Sequence, residues 1–350
     1  MKTDIKKRKI VAAWLLFGVA MILIQIMLGG ITRLTGSGLS ITEWKPIMGA
    51  VPPSNTTEWQ IAFEKYKHIP QYELVNKDMT LSSFKKIFFW EYIHRLWARS
   101  MGSIFLIPLL FFLYKKYISL KDSPKYFGIL VLGGVQGIMG WIMVKSGLTD
   151  RTLVEPTKLA IHLLLAAWLL AWVFRLALEN LYYDKPRFIQ NNPSYRWTNY
   201  LLFFLLLQIT LGALLAGSKA ALSYTTWPDM NGEFLPQGLM DIKPLWKNII
   251  ENNTALQFNH RMSAYLLTVV VLLYYLISTK WNMTKQLRYG RRLLLLLLLI
   301  QILLGIFTLL GCKTGHIPVF MATAHQQVAF YILLTIVFIR YHSQTNNNLR

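Results

Sequence analysis

Eight stretches of this chain are apolar over a membrane-crossing length, and polar segments rich in lysine and arginine separate them. They lie near residues 10–30, 92–114, 126–146, 158–178, 197–218, 256–279, 291–312 and 319–341. A hydrocarbon core of about 30 Å takes roughly 20 apolar residues as a helix, and each stretch supplies about that many. The runs 126–144 and 293–312 hold no charged residue, whereas spans 2 and 4 are weaker because they carry Arg95, Arg99 and His162. The pattern predicts an all-α polytopic membrane protein with eight transmembrane helices. Between spans 1 and 2, Trp59, Phe63 and Tyr66, then Phe84, Ile87 and Phe88, recur at helical spacing with charges between them. That predicts short amphipathic helices lying on the membrane surface.

The stretches fall into two copies of one unit. Gln25-Ile26-Met27-Leu28-Gly29 returns as Gln208-Ile209-Thr210-Leu211-Gly212, and Ser40, Thr42, Trp44, Gly49 and Pro53 return as Ser223, Thr225, Trp227, Gly232 and Pro236, all at an offset of 183. His94-Arg95 matches His260-Arg261 at 166, Gln136 and Gly140 match Gln301 and Gly305 at 165, and His162 matches His325 at 163. The shrinking offset means that the second copy has lost only loop residues. Four spans per copy is an even number, so both copies enter the membrane the same way. Two four-helix bundles related by a pseudo-two-fold axis along the membrane normal are expected, not an inverted repeat. The divisions are 1–180, 197–341 and a tail, 342–350.

Composition and charge then set the orientation. Hydrophobic residues make up 54% of 350 positions and the net charge is +21. The basic residues crowd one set of short segments: Lys2, Lys6, Lys7, Arg8 and Lys9; Lys115, Lys116, Lys121 and Lys125; Arg175, Lys185, Arg187 and Arg196; Lys280, Lys285, Arg288, Arg291 and Arg292; and Arg340 and Arg350 at the end. By the positive-inside rule both termini are cytoplasmic, and loops 31–91, 145–157, 219–255 and 313–318 face outward. The charge serves topology, and no nucleic-acid stripe with interleaved aromatics is seen. The first span is too long for a cleaved leader and lacks a small-residue cleavage pattern, so a retained anchor is expected, and without an Arg/Ser-rich transit extension the expected location is a bacterial plasma membrane. Cys312 is the single cysteine, which excludes an internal disulfide.

The candidate chemistry sits on the even spans. His94, His162, His260 and His325 each lie a few residues inside the outer end of their span, in one layer roughly 4–10 Å deep. One such histidine could simply bond a carbonyl at a helix end, but four in one layer, repeated in both copies, point to ligands. Zinc would draw three or four ligands to one point, often with a carboxylate or thiolate. Two histidines per copy suit an iron porphyrin held from both faces. Gly29, Gly140, Gly212 and Gly305 each follow a glutamine by four residues on the odd spans. They provide either close helix packing or room for a flat macrocycle. Arg95 and Arg261 point toward the outer surface, to heme propionates or to lipid headgroups.

The copies differ at one polar position. Glu91 lies one turn outward of His94, where the second copy has Gln257. It is either an acid complementing a helix N-terminus or a titratable group beside one iron site alone.

The segment Gly30-Ile31-Thr32-Arg33-Leu34-Thr35-Gly36-Ser37-Gly38-Leu39-Ser40, the run Glu91-Tyr92-Ile93-His94-Arg95-Leu96-Trp97, and the sites His162, Asn259-His260-Arg261 and Ala324-His325-Gln326 resemble the heme A synthase family over nearly the whole chain. The resemblance implies an eight-span enzyme that oxidises the C8 methyl group of heme O to a formyl group, giving heme A for terminal oxidases. It implies a substrate site at His94, His162 and Glu91, and a heme B held by His260 and His325. Some members carry a cysteine pair in the first outer loop; segment 31–91 has none, which places this chain in the branch without it. The implied partners are the lipid bilayer, heme O from an upstream heme O synthase, and an unnamed electron acceptor. A homo-oligomer is compatible with this reading. The alternatives are a diheme b-type electron-transfer cytochrome and a repeat-built transporter; no broken midplane helix supports the latter.

Overall fold

A computed structural model describes residues 2–43, 51–149, 151–183 and 193–344. Trp44, Gly49, Lys185, Arg187 and Arg350 lie outside the described residues. Eight helices are long and apolar enough to cross a membrane. They are α1 (Lys2–Leu34), α4 (Leu81–Tyr114), α5 (Ser123–Leu148), α6 (Pro156–Leu181), α7 (Ser194–Gly217), α9 (Asn253–Ser278), α10 (Lys285–Gly311) and α11 (Val319–Ser343). The short helices α2 (Thr56–Lys67), α3 (Pro70–Val75) and α8 (Asn248–Glu251) belong to the segments between them.

Local chemistry sets the helix ends. Thr80, Asn252 and Thr284 each accept a hydrogen bond from a backbone N–H in the first turn of α4, α9 and α10. α1 ends where Gly36 turns left-handed at φ +66°, with Ser37 N donating back to Thr32 O at 2.8 Å. Lys219, its repeat equivalent after α7, takes φ +52°.

α1 packs on α6, and α7 on α11, within each copy; α6 packs on α7, and α11 on α1, between copies. This set of neighbours is unchanged when the copies are exchanged. The inner helices bury 39–50% of their apolar windows against 11% for α4, α5 and α10, whose surfaces are left to lipid. Side-chain amides tie α11 to α1 inside the apolar layer. Gln326 Nε2 donates to Ile26 O at 2.9 Å and Gln327 Nε2 to Leu23 O at 2.8 Å.

The segment between the first two spans corrects one expectation. Trp59, Phe63 and Tyr66 do lie on one short helix, α2. Phe84, Ile87 and Phe88, however, lie on the N-terminal extension of α4. Nothing between Leu81 and His94 breaks a helix; Lys85, Lys86 and Glu91 only depress hydropathy, so the apolar window starts late. α2 docks on this extension through Trp59–Phe88 and Phe63–Phe84, each with ring centroids 5.0 Å apart. Tyr66, fully buried there, donates to Gln71 Oε1 and accepts from Asn76 Nδ2. Its burial raises the phenol pKa above the usual value. Gln71 Nε2 in turn donates to Gly36 O, fastening the loop to the end of α1.

Candidate functional site

All four histidines line one continuous cavity of about 1270 Å³, larger than the roughly 300–1,000 Å³ typical of a site for one small molecule. Each histidine comes from an even span, and the preceding odd span offers it a glycine. A Cβ built on Gly29 would lie 3.2 Å from His94 Nε2; one on Gly140, 3.1 Å from His162 Cε1; on Gly212, 3.0 Å from His260 Cε1; and on Gly305, 2.9 Å from His325 Cε1. The room these glycines make is thus taken by an imidazole, which refines the expectation that it is left for a macrocycle.

The glutamine one turn inward completes three of the four cradles. Gln136 Nε2 donates to His162 O at 3.0 Å and Gln208 Nε2 to His260 O at 3.1 Å, while Gln301 Nε2 lies 3.4 Å from His325 Nε2. His325 Nδ1 sits 3.0 Å from Gln301 O, the kind of contact that fixes the tautomer of a ligating imidazole. Gln25, Gln136, Gln208 and Gln301 all keep a buried Oε1 without a hydrogen-bond partner. Four orphan acceptors at repeat-equivalent places mark a site whose polar groups are arranged for more than helix packing.

The histidine pair of the second copy would fit a metal macrocycle held between two imidazoles. Two imidazoles on one metal, at about 2.0–2.1 Å per nitrogen, put their ring centroids roughly 6 Å apart. The rings of His260 and His325 are 6.4 Å apart. Among the described residues no group of three or more His, Cys, Asp or Glu gathers as a metal cluster. Gly305→Val is expected to push the His325 ring aside, at an overpacking cost of about 1–3 kcal/mol. Reduced-minus-oxidised spectra of the purified protein should then show much less bound heme than wild type.

One turn outward, the two copies build the same clamp with opposite polarity. Glu91 Oε2 accepts from Ser40 Oγ at 2.6 Å and from Ile41 N at 2.8 Å, and Glu91 Oε1 accepts from Arg95 at 2.6 Å. Arg95 also donates to Ile41 O. In the second copy Gln257 Nε2 donates to Tyr224 O at 2.6 Å, and Arg261 donates to Tyr224 O and Asp229 O. Tyr224 is the repeat equivalent of Ile41, so both clamps grip the same loop residue. Glu91 is therefore more than a helix-end acid: it is 2% exposed and holds the loop through two donors, Ser40 Oγ and Ile41 N, while Arg95 of its own helix neutralises it.

The clamps leave the arginines in different states. Arg95 is paired with Glu91 and has less to offer a propionate than the sequence suggests. Arg261 makes no carboxylate contact within 4 Å among the described residues, and its buried Nε has no partner. The nearby Asp229 carboxylate is taken by Thr226 and the Gly232 N–H, which lower its pKa below the usual value. Arg33 lines the same cavity, one turn outward of Gly29 on α1, and donates to Ala216 O of the other copy at 2.9 Å.

The model of the COX15-CtaA family, cytochrome oxidase assembly proteins, matches residues 12–337. The chain belongs to that family. It is 42% identical over 332 residues to a heme A synthase of Mesorhizobium japonicum, covering 94% of this chain and 89% of the relative. It is 42% identical over 347 residues to a heme A synthase of Brucella anthropi, covering 96% and 92%. With a heme A synthase of Nitrosomonas eutropha the identity is 40% over 334 residues, covering 94% and 92%. In this COX15-CtaA chain, sequence reasoning named the histidines, Glu91, Arg95 and Arg261, and all of them line the cavity. It missed Arg33. The available signal was its place four residues after Gly29, where the repeat has Ala216.

Proposed function

We propose that this chain is a heme A synthase, an oxidoreductase that converts the C8 methyl group of heme O into the formyl group of heme A. The observation that carries the proposal is the asymmetry between two otherwise matching sites. Both copies present a histidine pair, glycine cradles and an arginine clamp, but only the first puts a carboxylate, Glu91, in the clamp. The relatives bearing the name heme A synthase support the same reading. In it, His94 and His162 hold the substrate, heme O. His260 and His325 hold a heme B, with Arg261 facing its carboxylates. A bound heme B supplies a one-electron redox centre; everything else falls to the protein. Glu91 holds loop residues 40–41 over the substrate site and is placed to take up a proton from the reacting region. The glycine cradles leave the imidazoles little room to move, and α2 braces the extension of α4 that carries Glu91.

The two copies act as domains, 1–180 and 197–341, related by a pseudo-two-fold axis along the membrane normal; the neighbour pattern that survives exchange of the copies supports this. Both termini, including the 342–350 tail, lie on the cytoplasmic side, as the basic segments argue. Heme O arrives from a heme O synthase; in net balance the methyl group and one water give the formyl group, four protons and four electrons, and the electrons leave to an acceptor outside the chain. The test is chromatography of hemes extracted from cells that make heme O, with and without this chain. Heme A is expected only with it. Unchanged heme O alongside two stably bound b-type hemes would instead identify an electron-transfer cytochrome.

A further inference from the structure

The cavity is much deeper in the first copy than in the second. From the level of the histidines it lines α1 from Gly29 past Gly18 to Trp14, α4 from His94 to Phe105, α5 from Gly140 to Ile129 and α6 from His162 to Val173. Counting α1 only as far as Gly18, each of these is eleven residue steps, about 16 Å of helix rise. In the second copy it stops at Leu205 on α7, Thr268 on α9, Leu298 on α10 and Ile332 on α11. Those are seven or eight residue steps, about 10–12 Å. At the full depth the second copy has Leu201, Val271 and Leu294, which are 0–1% exposed and pack in the core.

The cause is legible in side-chain size. Gly102, Gly133, Gly134 and Gly137 line the first-copy cavity, and a Cβ on any of them would meet nothing within 4 Å. At the repeat-equivalent positions stand Thr268, Leu298, Leu299 and Ile302, and Gly18 is matched by Leu201. Glycine costs helix stability of about 1 kcal/mol relative to alanine, so four in two helices with no neighbour to accommodate is an expense without a packing return. Space of this kind, walled by Phe17, Ile104, Phe105 and Leu130, suits an apolar chain and not a polar one.

We propose that this extension is the subsite for the isoprenoid chain of the substrate, and that the glycines of α4 and α5 are what let the first copy, and not the second, accept a tailed heme. Heme O differs from heme B by a hydroxyethylfarnesyl chain in place of one vinyl group. The two copies would otherwise offer alike ligands to alike macrocycles, and the glycine-to-leucine exchange sorts them. The inference rests on the functional reading above and goes beyond it by assigning the basis of selectivity.

The test copies the second half into the first: Gly133→Leu with Gly137→Ile. Purified wild type and variant are titrated with heme O and, separately, with heme B, after loading of the second-half site. Wild type is expected to prefer heme O. The variant should lose at least about tenfold in heme O affinity while binding heme B as before, since only chain burial is removed. Retention of the low-spin signal of the second-half heme reports that the variant folds. In unaltered protein, farnesol should compete with heme O and leave heme B binding unchanged, which needs no variant. Unchanged heme O affinity in the variant, or an equal loss for both hemes, would overturn the proposal; the latter would mean that the glycines make room for the macrocycle itself. If His94→Ala left wild-type titrations unaltered, the functional reading would fail instead, since no heme would then bind at His94 and His162.

Discussion

Replacing His260 or His325 by alanine is expected to abolish stable heme B binding, with loss of the low-spin b-type spectrum of the purified protein. The two rings are 6.4 Å apart, a separation that would suit one metal held between two imidazoles, and either substitution would leave such a metal with one protein ligand. The cradle cannot compensate. Gln208 and Gln301 present amides, and Gly212 and Gly305 present no side chain. His68→Ala is the control, because His68 is exposed at the end of α2, away from the cavity. Full heme content in both cavity variants would remove the second-half assignment and with it the division of labour between the copies.

The spans, their number and the histidine layer were legible because each rests on a local pattern: apolar length, or a residue type recurring at a fixed offset. What was not legible depends on who meets whom across the bundle. The outer part of α4 was read as a surface helix because Lys85 and Lys86 hide the continuity of an unbroken helix. The glycines after each glutamine were seen, but the imidazole filling their space was not, because nothing in the chain says which even span leans on which odd one. The Glu91 clamp joins residues 51 apart, and its reversal of hydrogen-bond polarity relative to Gln257 exists only in three dimensions. The glycines of α4 and α5 carried a sequence signal that the histidine repeat overshadowed. Matching the copies for what differs, Gly133 against Leu298 or Gly137 against Ile302, points to the deeper cavity as directly as matching for what recurs points to the ligands.

Glu91→Gln is expected to stop heme A formation while leaving the second-half heme in place. The amide is the residue that the second copy carries, so the change makes the two clamps alike in composition. It does not make them alike in geometry, because Ile41 N and Ser40 Oγ both donate to the carboxylate, whereas Gln257 donates to a carbonyl. The variant therefore loses a proton acceptor and also leaves Arg95 without its ion pair. A single substitution confounds these two effects, and Ser40→Ala separates them. It removes one donor of the clamp, about 1 kcal/mol, and leaves both the acid and Arg95 in place. General acid–base participation is worth about 10²–10⁴ in rate, so Glu91→Gln should cut heme A formation at least about 100-fold. Ser40→Ala should cost less than about tenfold. The readout is heme O, heme A and any hydroxylated intermediate in extracts of cells expressing each variant, alongside the b-type spectrum. Equal, large losses in both variants would make Glu91 a loop latch and nothing more. Wild-type heme A from Glu91→Gln would leave the acid with no part in the reaction, and the asymmetry between the copies would then reside in the glycine-lined extension alone.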